Sequence, residues 1–155
     1  MLSRKTIGRV LLGIVALLLL IQLVPYGRSH ANPPITRAPR WDSLRTQQLV
    51  AGACADCHSN LTKWRWYSNV APASWLVQND VSGGRRHLNF SEWNKPQPSL
   101  AQVIRVIQGG DMPPIQYKLV HPAARLSQAE RAALIRGLTA TYRNDPPPVR
   151  SHGGD

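Results

Sequence analysis

Residues 53–58 read Ala53-Cys54-Ala55-Asp56-Cys57-His58, and this stretch holds both cysteines of the 155-residue chain. The two thiols are about one helical turn apart, and a histidine directly follows the second. With this spacing each thiol can bond one vinyl group on the same edge of a porphyrin, and the imidazole then lies under the iron. Because C-x-x-C-H is the attachment signature of a c-type haem, the sequence predicts one covalently attached haem c, with its iron, bound by Cys54, Cys57 and His58.

Three other interpretations of the cysteine pair stay open. A redox disulfide of the thioredoxin type needs a βαβ context, which the sequence does not offer. A zinc site needs further ligands, and His87 and His121 are candidates at irregular spacings. The two cysteines of an exported protein could also simply pair with each other. Haem is favoured because bacterial c-type haem is attached after export, and the N-terminus carries an export signal.

The second axial ligand is predicted to be Met112, which lies in the stretch Gly109-Gly110-Asp111-Met112-Pro113-Pro114. Glycine lets the backbone approach a flat ligand closely, and proline stiffens the loop that presents the sulfur. A thioether opposite an imidazole is the His/Met coordination of cytochromes c, and it raises the reduction potential. Met112 could instead fill a gap in the core, and His87 and His121 are the alternative ligands.

The first 31 residues are predicted to form a membrane anchor or a signal sequence. Arg4, Lys5 and Arg9 make a positive head, and an apolar run follows from residue 10 to residue 24. This order is typical of an export signal, and the stretch from 7 to 26 is long enough to span a membrane. An uncleaved anchor is favoured. The positive-inside rule then predicts a single-pass protein of the bacterial inner membrane, with its domain in the periplasm.

The charge of the chain indicates the kind of partner. Nineteen Lys and Arg against eight Asp and Glu give a net charge of +11, and four of the basic residues and no acid precede residue 32, so the exported part carries 15 − 8 = +7. A moderately basic surface suits an acidic redox partner or an anionic membrane surface. Export argues against a nucleic-acid partner. Two cysteines exclude a disulfide-dense scaffold, and 43% hydrophobic residues exclude a disordered chain.

The predicted fold is mostly α: a small cytochrome c-like haem domain of about four helices with long loops, behind one N-terminal transmembrane helix. Residues 32–40 are predicted to be a Pro-rich spacer, 41–143 the haem-binding domain and 144–155 a flexible tail. The four helices are predicted to begin at Asp42 or Ser43, after Pro72, at Ser99 and at Ser127.

Capping residues also predict how these helices end. Gly83-Gly84 and Gly109-Gly110 are natural C-cap residues, so they are predicted to end the second and third helices. Ser127 and Glu130 have the spacing of a capping box at the start of the fourth.

Motifs throughout the exported part resemble the bacterial haem-binding domain family. The matching blocks are Cys54-x-x-Cys57-His58-Ser59-Asn60-x-Thr62-x-Trp64-x-Trp66-Tyr67, Gly84-Arg85, Leu88-Asn89-Phe90-Ser91-x-Trp93, Met112-Pro113-Pro114-x-x-Tyr117, His121-Pro122 and Leu126-Ser127. Arg65 departs from the proline expected between the tryptophans. The resemblance covers about residues 32–142. It implies a small, mostly helical c-type haem domain behind a membrane segment, with the blocks around Trp66, Asn89-Phe90 and Met112 in one site.

Aromatic and basic residues complete the predicted site. Trp66 is predicted to line the haem pocket, in a cluster with Trp64, Tyr67, Trp75 and Trp93, although ordinary core packing is the alternative for each of them. Arg85 is predicted to pair with a haem propionate, with Arg65 or Arg86 as alternatives. A solvated basic surface is the competing interpretation of these arginines.

The function that these features predict is one-electron transfer by a membrane-tethered periplasmic c-type haem protein, acting with an unidentified redox partner protein. The alternative is a haem-based sensor or peroxidase-like protein with an open sixth iron position. The sequence offers no acid–base pair of the kind that catalysis requires. A non-enzymatic electron carrier is therefore favoured over an enzyme.

Overall fold

The structure is a computed structural model that describes residues 3–150. Within them the chain is mostly helical, as predicted, and the only β pairing is two isolated bridges. The α-helices are α1 (Arg4–Leu20), α2 (Leu44–Ala53), α3 (Ala55–His58), α4 (Ala73–His87), α5 (Leu100–Gly109), α6 (Ile115–Val120) and α7 (Gln128–Asn144). Short 3-10 helices cover Ile21–Leu23, Trp66–Asn69 and Pro122–Ala124. The four predicted domain helices are present as α2, α4, α5 and α7, and α3 and α6 are short additions.

The described residues divide into two compact units. The smaller unit comprises residues 3–31 and 64–80, and the larger comprises 32–63 and 81–150. The sequence predicts 41–143 as one domain, but the segment 64–80 groups with the N-terminal residues. The physical reason is a set of polar contacts within the smaller unit, among them two hydrogen bonds between the Gln22 side chain and the backbone of Ala71.

The core of the larger unit forms where α2 and α5 pack against α7. Its buried residues are Leu49, Val50, Leu88, Phe90, Trp93, Val103, Ile107, Leu134, Leu138 and Tyr142. Trp93 has no exposed surface, and its indole Nε1 donates a hydrogen bond to the carbonyl oxygen of Asp145 at 2.8 Å. Trp93 is therefore a core residue, which was the alternative interpretation for it.

Side-chain caps set the starts of the long helices as predicted. Ser43 caps α2 by accepting a hydrogen bond from the Thr46 N–H, and Ser99 caps α5. Ser127 and Glu130 form the predicted capping box of α7, in which each side chain bonds the backbone N–H of the other. Gly110 ends α5 in the left-handed conformation, with φ of 82°, which glycine adopts without the steric penalty of a Cβ atom.

The predicted end of α4 at Gly83-Gly84 is wrong, because the helix continues to His87. Gly84 serves packing instead of termination. A Cβ atom on Gly84 would overlap the carbonyl oxygen of Cys57, so the absence of a side chain lets α4 lie directly on that backbone.

Residues 145–150 belong to the predicted flexible tail, but in the structure they pack on the larger unit. Asp145 is buried, and its carboxylate pairs with Arg37 and Arg40 from the predicted spacer. The backbone N–H of Gln97 donates to Pro148, and that of Arg150 donates to Gln97. A buried carboxylate needs such cationic partners, which explains why spacer and tail residues meet here. Residues 151–155 lie outside the described residues.

Near the N-terminus one helical stretch, Arg4–Leu23, is long and apolar enough to cross a membrane. It has 20 residues and a mean hydropathy of 2.3, and none of it is buried in the protein. Ser3 caps its first turn by accepting a hydrogen bond from the N–H of Thr6. The stretch is compatible with the predicted single-pass anchor and with a signal sequence.

Candidate functional site

The cysteine motif forms a tight turn at the end of α2. Cys54 interrupts the helix with φ of −127°, and its carbonyl oxygen accepts hydrogen bonds from the N–H groups of Cys57 at 3.2 Å and His58 at 2.9 Å. Both cysteines are thiols, not joined in a disulfide, and both are half-buried. Burial, with a smaller contribution from Cys57, raises the pKa of the Cys54 thiol to about 12. The turn therefore carries a neutral Cys54 thiol close to an imidazole.

His58 is held in one orientation through a single ring nitrogen. Its Nδ1 lies 3.0 Å from the carbonyl oxygen of Gly84 and 3.1 Å from that of Leu88. Carbonyl oxygens only accept, so the proton belongs on Nδ1, and Nε2 carries the lone pair. Across residues 3–150, no hydrogen bond engages Nε2. Burial lowers the pKa of His58, which favours the neutral imidazole that binds metals.

The backbone around His58 is fixed from the opposite side of the motif as well. The carbonyl oxygen of His58 accepts a hydrogen bond from the N–H of Phe90 at 2.8 Å. Phe90 is itself part of the buried core. The segment from Gly84 to Phe90 thus bonds both the ring and the main chain of His58, and the turn is tied to the core of the larger unit.

Asp56, between the two cysteines, connects the turn to α6. Its Oδ2 accepts a hydrogen bond from the Tyr117 hydroxyl at 2.8 Å, and its Oδ1 accepts one from the Lys63 N–H at 3.1 Å. Its carbonyl oxygen accepts a third from the Thr62 hydroxyl at 2.7 Å. Asp56 therefore closes the loop that follows the motif and joins it to the element that follows Met112.

Met112 lies in the loop between α5 and α6, and 39% of its surface is exposed. Its N–H donates to the carbonyl oxygen of Val106 at 3.3 Å. Tyr117 stands five residues further on, so its hydrogen bond to Asp56 brings the Met112 loop towards the turn that carries the cysteines. Met112 as the axial ligand stays a prediction.

The two alternative ligands occupy different surroundings. His121 is buried and stacks on Tyr117, with ring centroids 3.8 Å apart and planes inclined by 17°. His87 is exposed at the end of α4, where its Nδ1 lies 2.8 Å from the carbonyl oxygen of Gly83. His121 therefore lies in the network around Asp56, whereas His87 lies at the surface.

Arg85 holds the segment that follows His58. Its Nε donates to the carbonyl oxygen of Ser59 at 2.9 Å, and its Nη2 donates to Asn32 at 2.8 Å and to Thr62 at 2.9 Å. Burial lowers the pKa of Arg85. Its pairing with a propionate stays a prediction, and the structure adds this bracing role.

Trp66 belongs to the smaller unit, whereas the predicted haem-binding residues Cys54, Cys57, His58, Arg85 and Met112 belong to the larger one. Its side chain is 78% exposed and lies edge-on to Tyr67. Its predicted part in a haem pocket stays a prediction.

The donor set fits a covalently held haem. Two thiols lie on one turn, and among residues 3–150 the adjacent imidazole keeps one nitrogen without a hydrogen-bond partner, as an axial ligand requires. A zinc interpretation finds no such support. Within the described part of the chain no group of three or more His, Cys, Asp or Glu residues is placed to hold a metal ion.

Several residues that build this site cannot be predicted from the sequence. The sequence predicts a helix cap at Gly84, and it indicates no role for Asp56 or Tyr117. The only sequence signal for them was indirect: Gly84 and Tyr117 stand in the blocks that carry the family resemblance. Leu88 contacts His58 through its main-chain carbonyl oxygen. Every residue type has this group, so the sequence does not indicate which residue provides it.

Comparison with known proteins agrees with the donor set. A model of the family described as haem-binding domain matches residues 16–140. No curated protein and no solved structure matches the chain. Because the match covers most of the sequence, the chain belongs to the haem-binding domain family.

Proposed function

We propose that this chain is a membrane-anchored c-type haem protein that transfers single electrons in the periplasm and has no enzymatic activity of its own. Cys54 and Cys57 attach the haem, His58 is the proximal ligand and Met112 the distal one. The observation that carries the proposal is the His58 ring, whose Nδ1 is satisfied by two carbonyl oxygens while Nε2 has no hydrogen-bond partner among residues 3–150.

The chain's own residues would prepare the site as follows. When bound, the haem supplies an iron that gains and loses one electron. Gly84 and Leu88 accept from Nδ1 of His58, which fixes the ring and makes Nε2 more basic. Asp56 and Tyr117 tie the Met112 loop to residues 53–58, here called the attachment turn. A rigid pair of axial ligands lowers the rearrangement that accompanies electron transfer, and so supports a cytochrome c-like role.

The apolar stretch Arg4–Leu23 supports the proposed location. Its basic residues precede the apolar run, which keeps the N-terminus in the cytoplasm and exports the remainder. The redox partner would be a protein with an acidic surface, because the exported part is basic with a net charge of +7, from 15 basic and 8 acidic residues.

Covalent attachment is the decisive test. The full chain is produced in bacteria able to mature c-type cytochromes, purified and extracted with acidified acetone. We expect the haem to stay with the polypeptide. In the Cys54→Ser, Cys57→Ser double variant the haem should be absent or extractable. Haem that leaves the unaltered chain on extraction would contradict the proposal.

A second candidate function is a haem sensor or peroxidase-like protein with an open sixth position. The two candidates differ only at the ligand opposite His58, for which Met112 in the loop between α5 and α6 is the proposed group. Carbon monoxide added to the reduced protein separates the two candidates. Rapid and tight binding would support the open site, whereas weak or slow binding would support ligation by Met112.

A further inference from the structure

The smaller unit joins the end of the apolar stretch Arg4–Leu23 to the segment 64–80, here called the juxtamembrane segment. The side-chain amide of Gln22 forms two hydrogen bonds with one residue: Nε2 donates to the Ala71 carbonyl oxygen at 2.8 Å, and Oε1 accepts from the Ala71 N–H at 3.0 Å. Gln22 lies near the last residue of the apolar stretch. Ala71 is therefore fixed at the end of that stretch and not along its side.

Further contacts hold the same segment against the chain that leaves the helix. The His30 ring stacks on Trp64, with centroids 4.7 Å apart, and its Nε2 lies 3.0 Å from the carbonyl oxygen of Ser68. Gly27 has φ of 81°, and a Cβ atom there would overlap the carbonyl oxygen of Ser74. These contacts bind the juxtamembrane segment at several points to residues 22–30, which follow the apolar helix α1.

The juxtamembrane segment exposes apolar and aromatic groups. Trp66 is 78% exposed, and Val70 and Leu76 are exposed as well. Tyr26, which lies just after the apolar helix, is also exposed. Arg65 is the neighbour of Trp66, and the one acid of the segment, Asp80, stands at its far end. Exposed apolar groups of this kind mark a binding surface. The Arg65 cation beside Trp66 favours a binding partner with negative charge.

The length of the apolar stretch indicates that a membrane surface covers these exposed groups. A helix of 20 residues is about 30 Å long, which matches the hydrocarbon core of a bilayer. If the stretch spans a membrane, its end at Gln22 and everything bonded there lie at the lipid–water interface. Trp and Tyr concentrate at that depth because their rings are amphipathic. Arg65 would then lie among lipid headgroups.

We propose that the juxtamembrane segment rests on the outer face of the membrane, with Trp66 inserted among the lipids beside the anchor. This inference depends on the proposed membrane anchor. It gives Trp66 a lipid contact in place of the haem contact implied by the family resemblance.

Photo-cross-linking in a bilayer tests the inference. The full, haem-loaded chain is placed in nanodiscs of phosphatidylethanolamine and phosphatidylglycerol, with p-benzoylphenylalanine substituted at one position at a time. Trp66 and Leu76 are the test positions. Leu12 probes the apolar helix. Leu44, which is 69% exposed in the larger unit, is the control matched for exposure. We expect lipid adducts from residues 12, 66 and 76, at least fivefold above those from residue 44.

The pattern of adducts separates this inference from the anchor on which it rests. Adducts from residue 12 with none above control from residues 66 and 76 would overturn the membrane contact and leave the anchor standing. Cross-links from residue 66 to haem or to a second polypeptide would also overturn it. An absence of adducts from residue 12 would overturn both.

Discussion

Gly84 and Cys57 touch through their backbones. A Cβ atom on residue 84 would overlap the Cys57 carbonyl oxygen and lie 2.9 Å from its carbonyl carbon. The same approach brings the Gly84 carbonyl oxygen to 3.0 Å from Nδ1 of His58. One missing side chain therefore serves both the packing of α4 on the attachment turn and the orientation of the imidazole.

The first prediction concerns this contact. Gly84→Ala should destabilise the folded protein by about 1–3 kcal/mol, as overpacking does, because the obstructing atoms are backbone and cannot turn away. The fraction of chains with covalent haem should fall as well. Both quantities are measured on purified protein, by urea unfolding and by haem absorbance per chain.

Gly83→Ala is the matched control for that variant. A Cβ atom there would meet only the flexible Arg86 guanidinium, at 3.9 Å. Since glycine within a helix costs about 0.5–1 kcal/mol relative to alanine, this variant should be slightly more stable than the unaltered chain. If both substitutions change the free energy of unfolding equally, the contact between Gly84 and Cys57 does not contribute to stability.

Helix starts could be predicted from the sequence, whereas the role of Gly84 could not. The sequence predicts the caps Ser99 and Ser127, and offers Ser43 as one of two candidates, because an N-cap bonds residues two or three positions away, so all of its partners are in the local sequence. Gly83-Gly84 looks like a C-cap for the same local reason. Its actual partner, Cys57, is 27 residues away in the sequence, and no periodicity or composition points to it.

The candidate site divides in the same way. Cys54, Cys57 and His58 could be proposed as site residues because the chemistry that this motif indicates depends on fixed spacing along the chain. The partners of His58 could not, because they are main-chain carbonyl oxygens of Gly84 and Leu88. The placement of the segment 64–80 with the N-terminal residues depends on single polar contacts, which leave no repeating pattern.

The second prediction concerns the link between α6 and the attachment turn. Tyr117→Phe removes the hydroxyl that donates to Asp56 at 2.8 Å. A hydrogen bond to a carboxylate contributes about 1.5–3 kcal/mol, and because both residues are only half-buried we expect a loss near about 1.5 kcal/mol in urea unfolding. Tyr26→Phe, at an exposed tyrosine, should leave stability unchanged. A Tyr117→Phe chain as stable as this control would contradict the link.

The third prediction is a pH dependence of stability at Tyr142. Burial raises the pKa of this phenol above its ordinary value near 10. In the unfolded chain the phenol ionises from about pH 10, whereas in the folded chain it stays protonated. Its contribution to stability is therefore complete below pH 10 and declines above it, by about 1.4 kcal/mol at pH 11.

Tyr142→Phe isolates that contribution, because every other group titrates equally in both chains. At pH 8 the variant should be slightly less stable, since it lacks the Tyr142 hydroxyl, which donates a long hydrogen bond to the Pro98 carbonyl oxygen at 3.4 Å. Between pH 8 and pH 11 the difference should shift by about 1.4 kcal/mol in favour of the variant. Urea unfolding at the two pH values measures it. If the difference in the free energy of unfolding between the two chains is the same at pH 8 and pH 11, Tyr142 ionises equally well in the folded and unfolded states.

The fourth prediction tests the sulfur of Met112. If it binds the iron opposite His58, Met112→Ala should lower the reduction potential by on the order of 0.1 V or more, within the range of about 0.8 V that axial ligands set. The absorption band that arises from sulfur-to-iron charge transfer should disappear. Ile115→Ala changes an exposed residue three positions further on and should alter neither property. A potential and spectrum unchanged in Met112→Ala would remove Met112 from the site and direct attention to His121, which stacks on Tyr117 in the same network.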